Sequence, residues 1–345
     1  MTAGVLTDPA RPALASCYTV AGRFICVGAE DETWARLFGG FFAGWHVSPA
    51  RLGPGAAPDA YILAREGDAP RAPSAGFETF DVASGGRCHT DGETYFFEAG
   101  GSVVRVAAGA APALVEVWVG RGEADREEAA LARLVFNASM AAMRRAGLFE
   151  LHAGAVVEPR SGAGVLFVGP SGSGKSTLTT TLASAGWRYL SDDSLLLRRR
   201  DGSVEAHALR RAFAVTAPTI EASGLDRAGR MLTTRPVPFD PTKRRFEPEA
   251  VFPGGFTSAC EPAALFFPAV TREASSRVRP LTQAEAMARL LRMCPWACYD
   301  KPAAREHLAV LALLSGRCAA HELSAGGDLL GDAGRVAELV TAHLS

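Results

Sequence analysis

The chain has 345 residues, 48% hydrophobic and 21% charged, with a formal net charge of −1. That length exceeds what one hydrophobic core usually organises and predicts two domains. The near-neutral charge gives no electrostatic case for nucleic acid or an anionic membrane as partner, and the longest aliphatic run, around Leu308–Leu314, is too short to span a bilayer.

Residues 1–15 lack periodicity and read as a loose arm. "CYTVAGRFICVG" (Cys17–Gly28) has two β-rich runs about Ala21-Gly22 and predicts a hairpin. "DETWARLFGGFFAGW" predicts a short helix, with Asp31 as N-cap and Gly39-Gly40 as its end. Residues 43–58, punctuated by Gly and Pro, predict loop. Strands are expected at Tyr61–Ala64, Phe77–Val82, Thr94–Glu98, Ser102–Val106 and Leu114–Val119, with "YFFEAGGSVVRV" as a second hairpin. Residues 1–121 therefore read as a smaller β-rich N-terminal domain. The strongest helix signal is Glu123–Gly147: acids crowd its start, Arg144-Arg145 its end, and Gly147 suits the left-handed C′ position. Its apolar face is Leu131, Leu134, Val135, Ala138 and Ala142. It is expected to link the domains over residues 122–147.

From Leu148 the pattern alternates between strands and helices, so residues 148–345 read as an α/β domain. Strands are expected at Ala153–Glu158 and Val165–Val168, a helix at Lys175–Ala185 closed by Gly186, and a strand at Trp187–Leu190. Leu195–Arg200 and Val204–Leu209 flank Asp201-Gly202, a strong hairpin turn. Residues 216–260 are rich in Pro, Gly and Arg and give no clear assignment. A strand at Ala263–Val270, helices at Thr282–Met293 and Pro302–Ser315, a strand at Cys318–Leu323 and a helix from Ala333 complete the domain.

The chemistry concentrates at Gly169-Pro170-Ser171-Gly172-Ser173-Gly174-Lys175-Ser176-Thr177, which fits GxxxxGK[ST]. An apolar strand, "GVLFVG", runs into it and a helix leaves it, the setting in which glycines turn backbone N–H groups inward at a helix N-terminus. Lys175 then supplies a positive charge to the terminal phosphates, and Ser176 a hydroxyl to Mg²⁺. The pattern predicts a bound nucleoside triphosphate, ATP.

Seventeen positions after Lys175, "RYLSDD" ends a short strand in Asp192 and Asp193. Ligands of open α/β sheets bind beyond the carboxyl ends of strands. Adjacent side chains of an extended segment point to opposite sides, so the two acids need not share a role. One can serve the metal and the other take the proton of an acceptor hydroxyl. His152, in "LHAGAVV", precedes the strand before the P-loop strand and is a third candidate at the same edge.

Taken together, "LHAGAVV", "GVLFVGPSGSGKST" and "GWRYLSDD" resemble the catalytic domain of HPr kinase/phosphorylase, and the HPr-kinase-like proteins of lasso peptide and other modified-peptide pathways. The resemblance covers about residues 148–200. It implies an HPr-kinase-like sheet, with Asp192 as proton acceptor, His152 beside it, Lys175 on the phosphates, and Ser176 with Asp193 on the metal. No Glu-Ile-Arg-Gly-Leu-Gly-type signature follows the aspartates, so the resemblance carries the kinase reaction and not its phosphorolytic reverse.

Of 36 basic residues only three are lysine: Lys175, Lys243 and Lys301. An ammonium and a guanidinium are not interchangeable at a phosphate, which draws attention to Lys243-Arg244-Arg245 in "DPTKRRFEPEA". Lys243 and Arg244 are candidates to close over the nucleotide, against the plainer reading of a solvated basic turn. The seven cysteines include no CxxC pair and are expected to be reduced packing residues of a cytoplasmic protein. No basic flank precedes an apolar core near the N-terminus, so no secretory signal is expected.

The sequence thus predicts ATP- and Mg²⁺-dependent phosphorylation of a hydroxyl, with a serine-bearing peptide or protein as partner, no nucleic acid or membrane partner, and room for a homo-oligomer. Two alternatives stay open: a P-loop kinase for a metabolite hydroxyl, and a non-catalytic ATP-binding regulator.

Overall fold

The computed structural model describes residues 14–30, 32–72, 75–82, 85–107, 112–122, 128–223, 225, 234–237 and 240–344. The expected N-cap Asp31, most of the N-terminal arm and the acidic start of the long helix lie outside them. The described residues form a mixed α/β protein with several sheets. Its contacts divide into two units. One takes Met1–Ala43, Val47–Ala146 and Tyr299–Pro302, and the other Gly44–His46, Gly147–Cys298 and Ala303–Ser345.

In the first unit, Ala21 and Gly22 both take positive φ, 47° and 74°. That is the two-residue turn whose twist matches a hairpin, and it joins β1 (Leu14–Val20) to β2 (Arg23–Ala29). The pairing sets Cys17 opposite Cys26, where they form a disulfide. This corrects the expectation of wholly reduced cysteines: facing positions on paired strands lie close enough to bond. Helix α1 (Glu32–Ala43) runs through Gly39-Gly40 instead of stopping there. Trp34, Phe38 and Phe42, spaced four apart, bury one face, and that packing outweighs the roughly 1 kcal/mol cost of each helical glycine.

The remaining strands are β3 (Ser48–Ala50), β4 (Ala60–Glu66), β5 (Glu78–Asp81), β6 (Arg87–Thr90), β7 (Tyr95–Ala99), β8 (Ser102–Val106) and β9 (Ala113–Val119). Of these, β3 and β6 were too short and polar to read from sequence. They order as β3-β1-β2-β4-β9-β8-β7-β6-β5, with β4 parallel to both neighbours. Helix α2 (Glu128–Arg145) packs on β4, β7, β8 and β9, burying Leu134, Val135, Ala138 and Ala142. Gly147 follows with φ 76°, the left-handed stop expected of it.

The second unit begins with β10 (Phe149–Leu151), β11 (Ala153–Val157), β12 (Gly164–Val168), α3 (Lys175–Ser184) and β13 (Arg188–Ser191). The hairpin β14 (Leu195–Arg200) and β15 (Ser203–Ala208) turns at Asp201-Gly202 with φ 45° and 80°. After β16 (Phe213–Thr216), the unassigned stretch holds α4 (Ala217–Ala222), β17 (Arg235–Val237), β18 (Asp240–Phe246), α5 (Pro248–Val251) and β19 (Ala259–Cys260). The chain continues through β20 (Pro262–Val270), β21 (Arg277–Pro280), α6 (Gln283–Met293), α7 (Trp296–Tyr299), α8 (Lys301–Arg317), β22 (Ala319–Ala325) and α9 (Ala333–Thr341). Thr282 caps α6 in a reciprocal box with Glu285.

Six strands form the central sheet, ordered β13-β11-β12-β20-β22-β21. Every residue of β11 and β12 is buried, as expected of strands covered on both faces. Val156, Val165 and Phe167 pack toward α3 and α9. Ala155, Leu166 and Val168 pack toward β14, β15, α6 and α8. Each fully buried aliphatic side chain of this kind contributes roughly 1.5–3 kcal/mol. Among the described residues no helix is long and apolar enough to cross a membrane.

Candidate active site

Strand β12 ends at Val168, and the chain turns through Gly169–Gly174 into α3, whose first residue is Lys175. Gly172 and Gly174 have φ of 81° and 101°, conformations that side chains resist. Gly174 occupies the N-cap without any side-chain cap, so no capping side chain covers the first N–H groups of α3. Ser173 is buried, and its Oγ has no hydrogen-bond partner. Lys175 is 4% exposed and donates from Nζ to the Pro170 carbonyl at 2.9 Å. Burial pulls its pKa down to about 8, with Lys243 adding to the fall and Asp193 and Asp192 opposing it. A loop with a withdrawn lysine, an unsatisfied hydroxyl and an uncapped helix start suits an anion.

Sheet topology brings the other candidates to this edge. Strand β11 runs antiparallel to both β12 and β13. The start of β11 therefore lies beside the ends of its neighbours, with Ala153 opposite Val168 and Ala155 opposite Ser191. His152 precedes β11, while Asp192 and Asp193 follow β13, so all three reach the edge where the P-loop leaves β12.

There the two acids occupy opposite environments. Asp193 keeps a side-chain exposure of 19%, with Oδ1 at 3.1 Å from His152 Nδ1 and Oδ2 at 3.7 Å from an Arg210 guanidinium nitrogen. Ser194 Oγ also donates to Oδ2, at 3.3 Å. Burial works against its charge, but His152, Arg210, Lys175 and Lys243 together hold its pKa below the usual carboxylate value. Asp192 has no exposed surface. The Ala214 N–H donates to its Oδ2 at 3.0 Å, while Oδ1 is buried with no hydrogen-bond partner. Burial, then the charge on Asp193, raise its pKa to about 7. Ser176 Oγ donates to the Asp192 carbonyl at 3.4 Å. The histidine expected beside Asp192 meets Asp193 instead: just past the end of β13, the Ala214 N–H holds the Asp192 carboxylate in the interior, and Asp193 faces the histidine.

His152 itself has its pKa lowered, chiefly by burial, with Lys175, Lys243 and Arg210 adding to the effect and Asp193 opposing it. Neutral imidazole holding Nδ1–H toward Asp193 leaves Nε2 with its lone pair.

Lys243 is brought to this cluster, since its charge acts on His152, Lys175 and Asp193. It pairs with Thr216 in the β16–β18 ladder, and Arg245 with Ala214. Arg244, between them on β18, pairs with Val215 and is exposed. The Thr177 hydroxyl lies 3.0 Å from that of Thr219. Arg210 and Arg245 were missed. In a chain whose basic residues are nearly all arginine, one more arginine carries little signal.

Gly154 allows this close assembly. A Cβ there would lie 2.3 Å from Thr179 Oγ1 and 3.2 Å from the Asp192 carbonyl oxygen. Thr179 is fully buried and cannot swing aside. Gly154→Ala is expected to lose about 1–3 kcal/mol in denaturant unfolding, and an unchanged midpoint would contradict this packing.

No family model and no curated protein matches the chain. Among solved structures it is similar to that of the Hpr(Ser) kinase/phosphatase from Coxiella burnetii, at 14% identity, covering 38% of this chain and 77% of that one, with a TM-score of 0.23. So shallow a likeness is no guide to chemistry, which rests on the side chains.

Proposed function

We propose that this protein is an ATP-dependent phosphotransferase that phosphorylates a hydroxyl, with serine of a peptide or protein as acceptor. One observation carries the reading: a His152–Asp193 pair 3.1 Å apart stands at the same sheet edge as the P-loop and Lys175. A phosphate cradle alone suits any nucleotide-binding protein. A histidine kept neutral and oriented by a carboxylate supports chemistry there, because that arrangement readies a base.

The backbone from Gly169 to Gly174 would hold the phosphates and Lys175 would lie against the terminal ones. His152 Nε2 takes the proton of the acceptor hydroxyl, and Asp193 fixes the tautomer and stabilises the imidazolium. Magnesium, when bound, would neutralise charge on the phosphates. Ser176 and Asp192, with its unpartnered Oδ1, offer the all-oxygen donors that suit it. They replace the Ser176–Asp193 set that the sequence suggests, since both Asp193 oxygens already have partners. Serine in a peptide as acceptor is supported by the motif wording of His152–Asp193 and not by geometry.

Incubating the full chain with ATP, Mg²⁺ and a serine-containing peptide library, a metabolite pool, or neither, followed by mass spectrometry, tests this. Phosphoserine on a peptide is the expected product. Phosphorylated metabolite with unmodified peptides would move the acceptor class. ATP bound tightly yet intact in every mixture would leave a nucleotide-binding regulator.

A further inference from the structure

Arg210 lies just beyond β15, and its backbone is paired with the segment Gly44–His46. Trp45 pairs with it in an isolated antiparallel bridge. On either side, His46 N–H donates to the Leu209 carbonyl at 2.7 Å and Arg211 N–H to the Gly44 carbonyl at 3.1 Å. Arg211 Nε donates to the Trp45 carbonyl at 2.7 Å. The clamping segment Gly44–His46 belongs to the same unit and is itself anchored. Trp45 is buried, and the His46 ring stacks on Phe256 with centroids 4.3 Å apart.

The side chain contrasts with this fixed backbone. Its approach to Asp193 is 3.7 Å, an ion pair too long for a hydrogen bond. Its Nε is buried without a partner, while the side chain as a whole is 32% exposed. Lys175, Lys243 and Arg245 act on the same carboxylate region. Cationic side chains thus crowd this edge, a setting that suits an incoming anion. A planar guanidinium with unspent donors suits the oxygens of a phosphoryl group.

We propose that Arg210 contacts the phosphoryl group during its transfer and that Gly44–His46 hold its backbone in place for that contact. The proposal rests on the phosphotransfer reading. The bond from the γ-phosphorus to the ADP oxygen breaks as one to the acceptor oxygen forms. The acceptor proton goes to His152 Nε2, and Arg210 keeps its own protons, hydrogen bonding the oxygens that carry developing charge.

The test compares binding of ADP alone with ADP plus aluminium fluoride, which stands in for the phosphoryl group in flight and needs no acceptor. Arg210→Ala is expected to leave ADP affinity within a few-fold while losing about 100-fold of the tightening by aluminium fluoride, with partial recovery on adding guanidinium. Arg211→Met, which loosens the clamp, should lose about 10-fold of that tightening. Lys175→Ala should weaken both ligands. Wild-type tightening in Arg210→Ala, equal loss of both ligands, or a wild-type protein that binds ADP without tightening overturns the proposal. A wild-type protein that binds no adenine nucleotide fails the parent reading as well, and so is told apart.

Discussion

His152→Gln is expected to cut phosphoryl transfer about 1,000-fold while ATP affinity stays within a few-fold. Glutamine can still donate to Asp193, so the pair's geometry survives; what disappears is a lone pair able to accept a proton. The pH dependence distinguishes this from damage to the fold. A base must be unprotonated, so kcat/KM should rise with pH through a value below the ordinary histidine 6.5, since burial and three nearby cations depress His152. A falling limb should appear near pH 8, where free Lys175 loses its proton and with it part of its hold on phosphate. His152→Gln should reduce the rise to the single step near 7 at which Asp192 ionises for the metal and leave the falling limb. A variant with normal turnover, or one whose acid limb is unchanged, would remove His152 from the proton path.

The glycine-rich turn after β12, helix α3 and the return strand β13 were legible because each depends on local grammar. The hairpins at Ala21-Gly22 and Asp201-Gly202 were legible for the same reason, since two residues decide the turn. The partner of His152 was not. It depends on β11 running antiparallel between β12 and β13, a non-local choice that turns a strand's beginning toward its neighbours' ends. Which aspartate faces inward depends on the backbone of Ala214, twenty-two residues away, a non-local contact that no sequence spacing announces. The glycines of α1 misled for a related reason. Helix propensity is a local term of about 1 kcal/mol, and Trp34, Phe38 and Phe42 outweigh it only once a sheet exists to bury them.

Asp192→Asn is expected to stabilise the ligand-free protein at pH 8 by on the order of 2–4 kcal/mol while severely impairing Mg²⁺-dependent turnover. The sign follows from proton counting. Asp192 titrates near 3.8 when unfolded and is raised to about 7 in the fold by burial and by Asp193. The folded state therefore holds the proton more tightly, so this residue favours folding fully below pH 3.8 and loses that contribution as pH climbs to about 7. Above that, a wholly buried carboxylate carries charge with one oxygen unpartnered. Asparagine keeps a carbonyl oxygen for the Ala214 N–H and never ionises. Its advantage should be small at pH 4, grow through the acid range and level off above neutrality, as read by urea unfolding across pH. Added magnesium and ATP should narrow the gap, because a cation beside Asp192 stabilises the charged form that asparagine lacks. If the two proteins show parallel stability curves at every pH, Asp192 is already ionised without ligand. If the stability gap appears but magnesium and ATP leave it untouched, the acid is a buried strut and the metal is held by other oxygens.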